Sequence, residues 1–168
     1  MQDARAIREA GIWQLLETVV DPEVPVLSVV DLGLIRGIES IDEISVRCNV
    51  TPTYTGCPAT DVINMGIRMA LMEAGYKNIE IQTILSPAWI TEWMTEAGRQ
   101  KLKAYGIAPP NLQQIVCSID AFQQDEAVQC PHCSSYHTTI ISRFGSTACK
   151  ALYRCEDCRE PFDYFKCH

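Results

Sequence analysis

Two cysteine pairs near the end of the chain, Cys130-Pro131-His132-Cys133 and Cys155-Glu156-Asp157-Cys158, are separated by 21 residues. A Cys-x-x-Cys unit forms a tight knuckle, and two knuckles at about this distance let four thiolates converge tetrahedrally on one metal ion. The spacing is close to the usual zinc pattern, though slightly longer. Tyr136 to Arg154 reads as two β-rich arms around Phe144-Gly145-Ser146-Thr147, a hairpin that would fold the second knuckle back beside the first. Two disulfides or four free thiols are the alternatives, and a zinc-binding ribbon held by Cys130, Cys133, Cys155 and Cys158 is the stronger reading. Cys149 and Cys167 flank the second knuckle and read as packing thiols, with a swapped ligand or an iron-and-sulfide site as the alternative. His132 is expected to be exposed rather than ligating, and His137 is a reserve ligand. Such a site fixes an architecture but names no activity, since zinc ribbons mostly serve as rigid platforms.

Cys57 is the other candidate for chemistry. It lies between Gly56 and Pro58, at the expected start of a long amphipathic helix. The unpaired N–H groups and the dipole at a helix start favour negative charge, and so favour the thiolate that ligates metals or attacks electrophiles. Thr51, Thr53, Tyr54 and Thr55 add hydroxyl groups around it. Asp21, Glu23 and Asp31 could supply oxygen ligands or orient the thiol, although turn and cap duty explains such residues as economically. An inert thiol occupying a cap is the competing reading of Cys57.

The elements that must position these groups follow from the hydrophobic pattern. Ala4 to Val20 reads as a helix, with Ile7, Ala10, Gly11 and Leu15 on its apolar face and Ile12, Leu16 and Val19 widening it. Asp21-Pro22 ends it. Leu34 to Glu39 is a weak strand. Glu43 to Val50 is a strong one, with Ile44, Val46, Cys48 and Val50 on the buried side and Cys48 acting as a small core hydrophobe. A helix beginning at Pro58 buries Ala59, Val62, Ile63, Gly66, Ile67, Ala70, Leu71 and Ala74, and Gly75 caps it. Ile79 to Leu85 returns as a strand parallel to its predecessor. Thr91 to Tyr105 forms the last helix. Residues 107–127 read as a linker, with a short strand near Val116, Cys117 and Ile119. The expected organisation is α+β: a small mixed sheet packed with helices over residues 1–106, the linker, and an all-β zinc ribbon over 128–168.

Composition narrows the function. Residues 1–127 carry 9 Lys/Arg and 17 Asp/Glu, whereas residues 128–168 carry 5 and 4. An acidic balance argues against nucleic acid as a partner. Arg143, Lys150 and Arg154 could form a local basic patch, but solvated hairpin charges are the simpler reading. Nine cysteines, an odd number, do not form a secreted disulfide framework. With no signal-like N-terminus and no apolar run of ~18–20 residues, a cytoplasmic protein without a membrane span is expected.

Three segments together, Asp21-Pro22-Glu23-Val24-Pro25, Asp31-Leu32-Gly33-Leu34 and Thr51-Pro52-Thr53-Tyr54-Thr55-Gly56-Cys57-Pro58, resemble the MIP18 (DUF59) family of iron–sulfur cluster assembly and targeting proteins. The resemblance spans most of residues 8–105 and places the family's cysteine on Cys57 and its acidic positions on Asp21, Glu23 and Asp31. With Pro87-Ala88-Trp89, Thr91-Glu92-Trp93-Met94, Phe144 to Cys155 and Pro161 to Cys167 included, nearly the whole chain is similar to the small accessory proteins of the bacterial phenylacetyl-CoA 1,2-epoxidase (ring-oxygenase) system. This implies a factor of aerobic phenylacetate catabolism rather than an enzyme. Cys57, with Asp21, Glu23, Asp31 and Thr53, would handle iron or an iron–sulfur cluster for the flavin reductase component, which carries a plant-type 2Fe–2S cluster. A stoichiometric, non-catalytic subunit of the oxygenase complex is the alternative. One thiol is too few to hold a cluster, so a bridging homodimer or acidic co-ligands would be required.

Overall fold

The computed structural model describes residues 2–110 and 128–166. The chain forms two compact units: Met1–Trp89 with Trp93–Gly98, and Ile90–Glu92 with Arg99–His168. Among the described residues no helix is long and apolar enough to cross a membrane. The α+β class with an all-β cysteine-bearing tail is as expected from the pattern.

In the first unit, α1 (Gln2–Leu16) leads through a long irregular loop to a three-stranded sheet of order β1-β2-β3. β1 (Ile35–Ser40) and β2 (Ser45–Val50) are antiparallel, and β3 (Asn78–Thr83) lies parallel to β2 after the crossover helix α2 (Thr60–Glu73). α1 ends four residues earlier than the apolar pattern suggests. The Thr18 hydroxyl and the N–H groups of Thr18 and Val19 tighten its last turn on Leu15 and Leu16. The face it buries is Ile12 and Leu16, with Val19 just beyond; Ile7, Ala10 and Gly11 are exposed. Val46, Cys48 and Val50 are buried on β2 as expected, and burial pushes the Cys48 thiol up to about 11. Ile44 falls outside the strand because Asp42 accepts its N–H in the preceding turn, and its side chain is exposed.

α2 buries Ile63, Ile67 and Leu71, one residue per turn, while Val62, predicted to be in the core, faces out. Its end matches the glycine-cap expectation: Gly75 takes φ +98 and donates to Met72, and Tyr76 donates to Leu71. The expected helix from Thr91 is two elements, a 3-10 turn over Thr91–Trp93 and α3 (Glu96–Tyr105), because the Thr95 hydroxyl caps Gly98 N–H.

In the second unit a four-stranded sheet has order β4-β7-β6-β5, with β4 at Ile107–Ala108, β5 at Thr138–Ser142, β6 at Lys150–Cys155 and β7 at Pro161–Phe165. β5 and β6 are the expected hairpin arms. Ile107 and Ala108, read as the start of a linker, instead pair in parallel with Asp163 and Tyr164. The proposed strand at Val116, Cys117 and Ile119 lies outside the described residues, as does Cys167. The core is Ala108, Val128, Ala151, Tyr153, Phe162 and Tyr164 closed by the thiols of Cys130 and Cys155, with Tyr153 stacked on Phe162 and edge-on to Tyr164. Lys150 is not a solvated hairpin charge: it is buried, with its ammonium 3.9 Å from the Asp163 carboxylate.

Candidate functional site

The four knuckle cysteines come together. Their sulfurs lie within 4.8 Å of one another, with Cys130 and Cys158 3.7 Å apart and Cys133 and Cys155 3.5 Å apart. Four sulfurs held about 2.3 Å from a central ion at tetrahedral angles stand about 3.8 Å apart, so the cluster fits a zinc-sized ion. The two knuckles are built alike. Cys130 donates its N–H to the Ser135 carbonyl, and its own carbonyl accepts Ser134 N–H; Cys155 donates to Glu160 and accepts from Arg159 in the same way. Ser134 and Arg159 both take a left-handed conformation to close these loops, at φ 63 and 68. His137 and Ser135 then clamp the Asp157 carboxylate of the other knuckle, which raises the His137 pKa through that hydrogen bond and charge.

Four thiols this close cannot all ionise without a cation. The Cys155 thiol is drawn down to about 7, chiefly by the N–H of Cys158. Cys158 receives a similar pull from Glu160 N–H, yet burial and the three neighbouring thiols push it up to about 12. A divalent cation removes this conflict by stabilising every thiolate. His132 is exposed and outside the cluster. Cys149 is buried, its sulfur 3.0 Å from the Thr147 hydroxyl, and it too stands apart from the four.

In the first unit, Asp21, Leu34, Val50, Pro52, Thr53, Cys57, Thr60 and Ile63 line a small open pocket. The topology explains its place. β2 ends at Val50, and the loop to α2 crosses the carboxyl edge of the sheet, where open α/β arrangements leave a crevice. Thr51 N–H donates to Leu34, so the loop is pinned to the start of β1. Cys57 is half-buried. It is not the helix cap: α2 starts at Thr60 with Ala59 as its cap, and Cys57 sits on the preceding turn, where its carbonyl accepts from Thr60 N–H. Pro58 therefore lies in that turn rather than at the first helical position. Gly56 supplies the φ of +84 that the turn needs. Pro52 and Thr60 join the lining without having been singled out, although Thr60 follows Cys57 by three residues, the interval at which a turn brings residues together.

The acidic residues divide. Asp21 lines the pocket, is buried, and holds its own loop by accepting the N–H groups of Glu23 and Val24 at 2.7 and 2.8 Å. Glu23 is half-buried and not part of the lining. Asp31 is outside it as well. One oxygen of Asp31 accepts from the Ser28 N–H and hydroxyl at 3.0 Å, the other from the Thr95 hydroxyl at 3.2 Å, and its carbonyl accepts Thr95 N–H. Asp31 thus ties residues 28–34 to Trp93–Gly98, a tie reinforced by Trp89 Nε1 donating to the Leu32 carbonyl and by Arg36 over the Trp93 ring. Asp31→Asn is expected to cost about 1–3 kcal/mol of unfolding free energy in urea titration.

Comparison with known proteins places both modules. Residues 9–81 match the family described as "Iron-sulfur cluster assembly protein", and residues 116–166 match the "PaaD zinc beta ribbon domain". The chain is 51% identical over 156 residues, 93% of its length and 91% of the relative's, to an Escherichia coli protein named as a subunit of 1,2-phenylacetyl-CoA epoxidase. It is 36% identical to a "Fe-S protein maturation auxiliary factor" of Porphyromonas gingivalis, over 56% of this chain and 90% of that one. The fold of a DUF59 domain crystal structure from Bacillus anthracis superposes with a TM-score of 0.57 at 24% identity, over 61% of this chain and 97% of that chain. These matches define the class, an iron–sulfur assembly (DUF59) domain followed by a zinc β ribbon. The chain belongs to the PaaD family.

Proposed function

We propose that this protein is an accessory maturation factor of the phenylacetyl-CoA epoxidase system, with Cys57 handling iron or an iron–sulfur cluster bound for the reductase component. The observation that carries the reading is the half-buried thiol of Cys57 in an open pocket that it shares with buried Asp21 and with Thr53. A soft sulfur, a hard carboxylate and a hydroxyl at one mouth suit transient capture of iron better than permanent ligation, which needs more protein ligands. Asp31 enters this reading as the anchor of residues 28–34, and Glu23 through the backbone N–H that Asp21 accepts. The ribbon holds a structural zinc through Cys130, Cys133, Cys155 and Cys158 and serves as a rigid platform for partners. Relatives named as iron–sulfur maturation auxiliary factors support the assignment.

A second reading, a stoichiometric and non-catalytic subunit, is favoured by the name of the E. coli relative. Cys57→Ser separates the two. The maturation reading expects an unchanged fold and a reductase that accumulates with severalfold less iron and acid-labile sulfide in cells carrying the variant. Full cluster occupancy in that background, together with co-purification of the variant at fixed ratio with the oxygenase, would establish the subunit reading instead.

A further inference from the structure

α2 is apolar on two faces, and the packing of the first unit uses one of them. Ile63, Ile67 and Leu71 are buried beneath the helix. Val62, Met65, Met69 and Met72 form a second row on the outside, 56–65% exposed. Three of the five methionines in the chain are in this row. Single exposed apolar side chains are ordinary, but four in register on one helix are a patch. Their spacing of three, four and three residues is that of alternating a and d positions, the seam along which one helix packs against another.

We propose that this face is the contact surface for α2 of a second copy, the two helices running parallel about a twofold axis. The charges beside the seam select both the occupant and the direction. With Val62 and Met69 at a, Arg68 occupies a g position and Glu73 the e position five residues later. In a parallel pair, each Arg68 therefore meets Glu73 of the other copy, twice by symmetry. An antiparallel pair centred on the same row would bring Arg68 beside Arg68, which repels. Within its own chain Arg68 spends one N–H group of its guanidinium on the Ile79 carbonyl at 3.0 Å, and its remaining N–H groups can serve the partner. Methionine suits such a seam because its unbranched side chain adapts to a facing surface. Four side chains cover only part of the roughly 800 Å² each partner gives to a stable interface, so the pairing is reversible and concentration-dependent.

The surface stands on its own observations; its consequence rests on the Cys57 reading. A parallel pair puts both α2 N-termini, and the turns carrying Cys57 that lead into them, at the same end of the dimer. Two one-thiol sites then sit at one end of the pair, each in its own pocket on the sheet-facing side of its own α2.

Sedimentation of the full-length, zinc-loaded and iron-free protein across about 1–200 µM tests the proposal. Wild type is expected to show a monomer–dimer equilibrium. Met65→Asp/Met69→Asp should remain monomeric throughout, and both positions are exposed enough to leave the fold unchanged. Arg68→Glu should weaken dimerisation by about tenfold, and Arg68→Glu/Glu73→Arg should restore it. A wild-type protein that is monomeric over the whole range, or a dimer that survives Met65→Asp/Met69→Asp, overturns the surface. Failure of the double charge reversal to restore pairing overturns the parallel register and with it the proposal. Cys57→Ser should dimerise as wild type does, so this result and the iron content of the reductase can fail separately.

Discussion

Cys155→Ser is expected to unfold the ribbon and to leave the first unit folded. The eight buried residues of the ribbon core include two of the four metal-facing thiols, Cys130 and Cys155. Removing one ligand therefore breaks the metal site and the core together. A structural zinc contributes on the order of 10 kcal/mol in small domains, more than a core of eight side chains, several of them small, can replace. The first unit has its own core, from Ile12 and Leu16 through Val46, Cys48 and Val50 to Ile63, Ile67 and Leu71, and needs no metal to form it. Calorimetry should show two transitions in wild type, with the ribbon transition absent from Cys155→Ser. Amide exchange should show protection lost in β5, β6 and β7 but kept in β2 and α2. A strong chelator should reproduce the effect on wild type. Acidification works in the same direction, because ligation needs thiolates and protons compete for them. The Cys155 thiol is drawn down to about 7 even before a cation binds, and a bound cation holds its thiolate to lower pH still, so metal is given up only on acidification below that value. A single unchanged transition in Cys155→Ser would mean that the ribbon is held by its strands and aromatic residues instead.

The parts of this molecule that were legible in its sequence are those with a strong local period or a fixed spacing. The paired knuckles required no tertiary knowledge, since two residues between cysteines dictate the turn. The alternation of Val46, Cys48 and Val50, and the glycine stop at Gly75, were equally local. Val62 marks the limit of that kind of reading. Its position on a 3-4 row qualifies it for the core, but α2 carries two such rows, and which one meets the sheet is decided by packing rather than by period. β4 is two residues long and exists only because β7 offers an edge; no window of sequence contains that information. Asp31 shows the same limit at the candidate site. Its acidic chemistry is consistent with a ligand, and its use as an anchor depends on Thr95, 64 residues away. Cys57, Asp21 and Thr53 could be grouped from their neighbours in the chain, but the pocket that unites them is made by the ends of β1 and β2 and the start of α2.

Gly33→Ala is expected to be the most damaging single-methyl change in the first unit, and a comparison with Gly56→Ala isolates the reason. Both glycines have left-handed backbones, φ +66 and +84, a conformation that costs an L side chain about 1–2 kcal/mol. At Gly56 that is the whole penalty, because an added methyl group meets nothing within 4 Å. At Gly33 the methyl group would overlap the backbone carbonyl of Trp93. A backbone cannot rotate away as a side-chain tip can. The segment cannot retreat either, since Asp31 holds Thr95 and Leu32 holds the Trp89 indole at 2.8 Å. The expected losses in urea unfolding are roughly 1–2 kcal/mol for Gly56→Ala and about 3–5 kcal/mol for Gly33→Ala. The effect should also reach the pocket. Leu34 follows Gly33, lines the cavity beside Cys57, and accepts the N–H of Thr51 at 2.8 Å. Displacing it moves the floor under the thiol, so Gly33→Ala should change the rate of Cys57 alkylation under native conditions. Equal destabilisation by the two alanines would show that backbone conformation alone governs both sites, and that the backbone at Trp93 yields where the structure has it locked.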